Sequence, residues 1–197
     1  MKRFLVFALL FSIMAGNLFA QQNEKNTSLR MKPALLVIDI QNAFLPMVPE
    51  HEKEIGLYMI NASIDLFRKY GFPIIRIYHT DPQNGPKPGS EEFEFPATIK
   101  ISSDDARVIK TYANGFNKTE LDKILSDKGC NTLFLCGLSS VGCVLATYMG
   151  AKDHDYKAFL IKDALMSHNS GFTDDIEDIF GAIDYDVVEV LLQNSVK

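Results

Sequence analysis

The apolar residues of this chain fall into short unbroken runs, separated by stretches with a helical repeat. Ala34-Leu35-Leu36-Val37-Ile38 ends abruptly at Asp39. A run that is apolar at consecutive rather than alternate positions is the pattern of a strand covered on both faces, as in a parallel sheet. It recurs at 73–78, 132–136, 158–161 and in Val187-Val188-Glu189-Val190-Leu191, with Arg107-Val108-Ile109 as a shorter version. Between the first two runs, Glu52 to Tyr70 places Ile60, Ile64 and Phe67 on one stripe, closed by Gly71 and Pro73 as helix stop signals. Thr119 opens a second predicted helix, with Asp122 placed as in a capping box, Leu121, Ile124 and Leu125 as its stripe, and Gly129 after its end. A third is predicted from about Gly142 to Lys152. Strands alternating with helices specify an α/β fold. The expectation is a doubly wound, mainly parallel six-stranded sheet with helices on both faces, a three-layer αβα, Rossmann-like arrangement that binds ligands at the carboxyl ends of its strands.

Two stretches fall outside this alternation. Asp81 to Ser90 is rich in Gly and Pro and leads into the acidic and aromatic residues 91–95, so it reads as a loop. A lid over a pocket and a solvated surface excursion are equally good readings of it. At the start, Met1-Lys2-Arg3, an apolar run to about Ala15 and the small residue Ala20 give residues 1–20 the layout of a secretory signal peptide. The run is shorter than the roughly 20 residues needed to span a bilayer. The sequence therefore predicts a periplasmic or secreted protein cleaved near Ala20, with no membrane attachment afterwards. A polar leader over 21–32 and one domain over 33–197 follow.

A net charge of −5 without a basic cluster argues against nucleic acid or anionic membrane as partners, because nothing supplies phosphate neutralisation. Small molecules remain. The three cysteines, Cys130, Cys136 and Cys143, are too few for a disulfide-stapled fold and leave at least one thiol free in the monomer. Cys130 and Cys136 would lie roughly 20 Å apart along a strand, too far to bond. A Cys136–Cys143 bond is open through the turn and would block Cys143.

Cys143 is the first candidate for chemistry. Gly137-Leu138-Ser139-Ser140-Val141-Gly142-Cys143-Val144 follows a buried strand and opens a helix, where unpaired N–H groups and the helix dipole stabilise a thiolate or an oxyanion. A small buried structural cysteine fits the same position. Asp39 ends the first strand beside desolvating apolar residues, which raises its pKa toward the range useful for moving a proton; a turn cap is the plainer reading. Lys110 likewise follows a strand, although a lone Lys is usually just solvated.

Read together, Asp39-x-Gln41-x-x-Phe44, Val108-x-Lys110-x-x-x-x-x-Phe116 and Gly137-x-x-Ser140-x-x-Cys143-Val144, in that order, resemble the isochorismatase-like cysteine hydrolases. The similarity runs from about Lys32 to Leu192 and includes Thr119-Glu120-Leu121 and Asp163-Ala164. It implies Cys143 as nucleophile, Asp39 as general base and acid, and Lys110 in support. It also implies a cis peptide at Leu138-Ser139 and an oxyanion hole from the N–H groups of Ser139 and Cys143. Ser140 stands where the family pattern usually has Thr. Gln41, Phe44 and Phe116 are the substrate-binding candidates, and the resemblance implies a homo-oligomer.

Nicotinamidases of the superfamily add a metal site of Asp and several His residues after the second strand. Here that region offers His79, Thr80 and Asp81, short of the three protein ligands usual in catalytic sites, so neither metal nor other cofactor is expected. His51, His154 and His168 show no ligand spacing and read as surface or capping residues. Isochorismatases characteristically lack the Cys, which favours hydrolysis of a small amide or related carbonyl compound. A catalytically silent small-molecule-binding protein and a thiol redox sensor remain as other classes, and nicotinamidase or isochorismatase as other enzymes.

Overall fold

The computed structural model describes residues 30–196, and the residues from Lys32 onward form one compact unit. The predicted signal peptide and most of the leader lie outside the described residues. The strands are β1 (Pro33–Ile38), β2 (Ile74–His79), β3 (Ala106–Lys110), β4 (Thr132–Leu138) and β5 (Lys157–Met166). The helices are α1 (Glu50–Lys69), α2 (Leu121–Asp127), α3 (Leu145–Asp153), α4 (Ser170–Phe180) and α5 (Tyr185–Gln193). All strand pairs are parallel, in the order β3-β2-β1-β4-β5. The chain winds outward from β1 through β2 to β3, then returns to the other side of β1 with β4. Where the winding direction reverses, between β1 and β4, adjacent connections leave toward opposite faces and open a crevice at the strand ends.

Every residue of β1 and β4 is buried, as the unbroken apolar runs require. One face, with Ala34, Leu36, Ile38, Leu133 and Leu135, packs on Leu121 and Leu125 of α2, Tyr148 and Ala151 of α3 and Ile176 of α4. On the other face Phe134 meets Phe67 of α1 edge-on at 5.4 Å, and Ile60, Ile64 and Phe67 have no exposed surface. Gly71 closes α1 at φ 72°, the left-handed conformation that stops a helix and favours glycine. Among the described residues no helix is long and apolar enough to cross a membrane.

Three predictions change. The sheet has five strands, not six, because Val187–Leu191 belongs to α5. Val188 and Leu192, four apart, are buried while Val187 and Val190 are largely exposed, a helical stripe that a short β-branched run does not distinguish from a strand. The Thr119 capping box does not form. Thr119 Oγ1 donates to the carbonyl of Gly115 and accepts from Leu121 N–H, while Asp122 takes the hydroxyl of Tyr156 at 2.8 Å. The third helix starts later than expected. Ser140–Val144 forms a π-type turn in which Gly142 leaves helical geometry (φ −123°, ψ −108°), and regular helix begins only at Leu145.

The 81–95 loop is tied down at its far end. Phe93 and Phe95 are buried and stack on Tyr78 with centroids 5.1 and 4.2 Å away, and Arg107 lies over the Tyr78 and Phe93 rings. Asn42 and Ala43 donate their N–H groups to the carbonyls of Glu94 and Glu92.

Candidate active site

Asp39, Lys110 and Cys143 come from the ends of three different strands and meet at the carboxyl edge of the sheet. Asp39 leaves β1 with φ 53°, a left-handed conformation that Asp tolerates better than most residues. Its N–H still bonds the Ile77 carbonyl of β2 at 2.9 Å, so the turn away from the sheet happens at Asp39 itself. On the neighbouring strand Gly137 has φ 122°, and a Cβ there would fall 2.1 Å from the Ile38 carbonyl oxygen. Only glycine permits this approach of β4 to β1. Leu138-Ser139 is a cis peptide, and Ser139 then leads into the turn that holds Cys143.

Lys110 is the last residue of β3. Its side chain is fully buried and its ammonium donates to Asp39 Oδ2 at 2.6 Å. The same nitrogen lies 3.4 Å from Nδ1 of His79, the residue paired with Lys110 across β2 and β3. Asp39 Oδ1 accepts from no nitrogen or oxygen donor among the described residues. The Cys143 sulfur lies within 4.8 Å of an oxygen of this carboxylate. The carboxylate is thus fixed by a cation on one side and open toward sulfur on the other.

The charges follow from this burial. Loss of water raises the Asp39 pKa, against the lowering effect of Lys110 and of the thiol hydrogen bond. Burial, and then the negative charge of Asp39, push the Cys143 thiol up to about 11, although Lys110 opposes them. This reverses the lowered thiol pKa expected from a helix start. Cys143 sits in the irregular turn ahead of α3 rather than in a regular first helical turn, and burial is the largest influence on its thiol. The resting site holds a protonated thiol beside Asp39. Burial and then the adjacent Lys110 charge hold His79 below its usual range.

The remaining candidates divide. Phe44 lines the cavity above Cys143, with its ring 6.2 Å from that of His79. Gln41 does not reach the cavity. It is fully buried, accepting from His79 N–H at 2.7 Å and donating to the His79 carbonyl at 3.0 Å, which extends the β1–β2 pairing through a side chain. Phe116 is buried between His154 and Tyr156, with centroids 4.7 and 5.8 Å away, and lies with the core beside Leu121 and Tyr148. It does not line the cavity either, because the segment after Lys110 turns onto α3, where Gly115 N–H bonds Thr147 Oγ1.

The cavity measures about 250 Å³ and is walled by Phe44, Met47, Val48 and Leu138 around Asp39, Ser139 and Cys143, with His79 and His168 completing it. Sequence reasoning placed His168 on the surface or at a cap and passed over Met47 and Val48. His168 reaches the cavity through the β5–α4 connection, for which no local pattern gives the direction. As for a cation, Asp39, His79 and Cys143 each offer one donor atom, all within 4.8 Å of one another. The Lys110 ammonium against two of them disfavours a second positive charge. Asp81 instead accepts from Gln83 N–H in its own turn. All three cysteines are free, and the Cys136 thiol is buried in β4, directed at the Leu36 carbonyl 3.5 Å away.

Residues 33–178 match the family model of the isochorismatase domain. The uncharacterized isochorismatase family protein YddQ of Bacillus subtilis is 29% identical over 143 residues, covering 68% of this chain and 77% of its own. A streptothricin hydrolase of Streptomyces noursei is 27% identical over 158 residues, 76% of this chain and 60% of its own length. Among solved structures, an N-carbamoylsarcosine amidase of Thermoplasma acidophilum superposes with a TM-score of 0.68 at 27% identity, covering 78% of this chain and 95% of that one. An isochorismatase-like hydrolase of Alkaliphilus metalliredigens gives 0.71 at 22% identity, over 81% and 97%. The parallel sheet, the crevice at its reversal point and the matched span agree, and this chain belongs to the isochorismatase family.

Proposed function

We propose that the chain is an exported cysteine hydrolase that cleaves a small amide through an acyl-enzyme on Cys143. The observation that carries this reading is the buried Asp39–Lys110 pair, whose carboxylate has one oxygen free to face a protonated thiol at the foot of a small cavity. Two relatives with an activity in their names, a streptothricin hydrolase and an N-carbamoylsarcosine amidase, support C–N cleavage as the reaction type.

Asp39 accepts the thiol proton as sulfur attacks the substrate carbonyl carbon, so no free thiolate has to persist in the apolar site. The carbonyl oxygen takes up the negative charge and is met by the N–H groups of Ser139 and Cys143. Asp39 returns the proton to the departing nitrogen, the C–N bond breaks and a thioester remains. Water then gives a proton to Asp39 and adds to the thioester. Collapse releases the acid and restores the thiol. Lys110 keeps the carboxylate ionised and aimed throughout.

The test is intact-mass detection of a thioester on Cys143 during turnover of a primary-amide panel, with ammonia release as the rate. Cys143→Ala should lose both adduct and turnover. A Cys143→Ala protein that releases ammonia at the original rate overturns the reading.

A further inference from the structure

We infer that the pocket selects an uncharged amide with a compact apolar acyl group and rejects substrates that carry a carboxylate. This rests on the amide-hydrolase reading and names its substrate class. The cavity, about 250 Å³, lies below the roughly 300–1,000 Å³ usual for ligand pockets, so the molecule that fills it is small. Phe44, Met47, Val48 and Leu138 supply its walls.

A carboxylate entering such walls loses its water and needs a fixed cation or several N–H donors in return. Among the described residues, no Lys or Arg lines the cavity. Lys110, the nearest cation, has no exposed side-chain surface and is engaged by Asp39 at 2.6 Å. Its charge is matched by that of Asp39, which itself faces the cavity and repels an anion. His79, desolvated and next to Lys110, stays neutral. His168 lines the cavity but is exposed to solvent, with its ring edge-on to Phe172 at 5.5 Å. The N–H groups at Ser139 and Cys143 are committed to the reacting carbonyl oxygen. N-carbamoylsarcosine, which carries a carboxylate beside its ureido carbonyl, is therefore a poor fit here despite the likeness to the amidase named for it.

Two matched pairs test this. Isocaproamide and succinamate share a primary amide and a chain length, and differ by a branched methyl end against a carboxylate. The neutral amide is expected to have a kcat/KM about 100-fold higher or more, the order expected for an unpaired buried charge. Iodoacetamide and iodoacetate alkylate Cys143 with loss of iodide and need no turnover; their rate ratio, divided by the ratio on free glutathione, should favour the amide by a similar factor. Met47→Arg places a cation at a position that is 60% exposed and should narrow both ratios at least about 10-fold. Equal or better rates for succinamate or iodoacetate overturn the inference and leave the amidase reading standing. If no amide acylates Cys143, the amidase reading fails, and the alkylation ratio alone still decides whether the pocket excludes anions.

Discussion

Lys110 and Asp39 are both removed from water, and each is tolerable only because of the other. Removing one partner of a buried ion pair leaves an unpaired charge at a cost of about 3–5 kcal/mol, whereas removing both costs far less. Lys110→Met should therefore lower unfolding free energy by about that amount near neutral pH, and Lys110→Met with Asp39→Asn should recover much of it. Urea denaturation of the two single variants and the double variant measures this, and additive losses would show that the pair is not coupled. Turnover behaves differently. Asp39→Asn removes the proton acceptor for a thiol pushed up to about 11, so it should lose about 100-fold or more in kcat, and the double variant should not regain it. The acid limb of the kcat/KM profile reports Asp39 taking up its proton. Because burial raises that pKa, the limb should lie above the ordinary Asp value of 3.8, and it should be absent from Asp39→Asn.

The element that carries Cys143 is held from behind by another element. Glu52 near the start of α1 accepts from Thr173 Oγ1 of α4 at 2.5 Å and from Ser167 N–H at 2.9 Å, and its second oxygen accepts from Ser170 Oγ at 3.0 Å. Thr173 in turn shares a hydrogen bond of 3.1 Å with Ser140, buried in the nucleophile's turn. One carboxylate thus fixes the β5–α4 connection that brings His168 to the cavity and, through Thr173, the turn of Cys143. Thr173→Val keeps the side-chain volume and removes both links. It should lower kcat by about 10- to 100-fold with little change in KM, since a small misplacement of a reacting group is costly. Thermal stability should fall by only about 1–2 kcal/mol. Ser140→Ala should act in the same direction, and the two together should not be additive. An unchanged kcat in Thr173→Val removes the positioning role. None of this was legible in the sequence, where Glu52 reads as an acidic residue in a first turn and the partners are more than a hundred positions away. Asp39, Lys110 and Cys143 were legible because each closes or follows an apolar run, and a parallel sheet brings such ends to one edge. Val187–Leu191 was not, because a β-branched run can also sit in a helix when one of its residues, Val188, and Leu192 four positions on find a core.

At the scale of the whole molecule, the placement of the site at the reversal between β1 and β4 separates chemistry from bulk stability. The core under α2 and α3 is built of apolar side chains, while Asp39 and Lys110 sit at the strand ends and Glu52, Asp163, Asp174 and Glu177 line the β5–α4 seam. On that seam Glu177 is 8% exposed and accepts the Asp163 N–H at 2.9 Å. Its pKa is raised from 4.5 to about 7, chiefly by burial and further by the charges of Asp163 and Asp174, against the Asp163 hydrogen bond and Lys162. The folded chain therefore keeps a proton there that the unfolded chain has already released. With more protons bound in the native state, stability falls as pH rises from about 4.5 to about 7, and below that window the group makes no difference. Glu177→Gln keeps an oxygen to accept from Asp163 N–H and removes the ionisation. At pH 8 this variant should be more stable than the parent by on the order of 1–2 kcal/mol, discounted for a carboxyl near the surface, and the difference should vanish below pH 4.5. Melting curves of both proteins across this range measure the difference. A parent whose stability rises between pH 5 and 7 relative to Glu177→Gln would reverse the sign and show that the carboxylate, not the acid, is the form the fold prefers. Activity should follow the Asp39 limb in both proteins, since Glu177 does not line the cavity that holds Cys143.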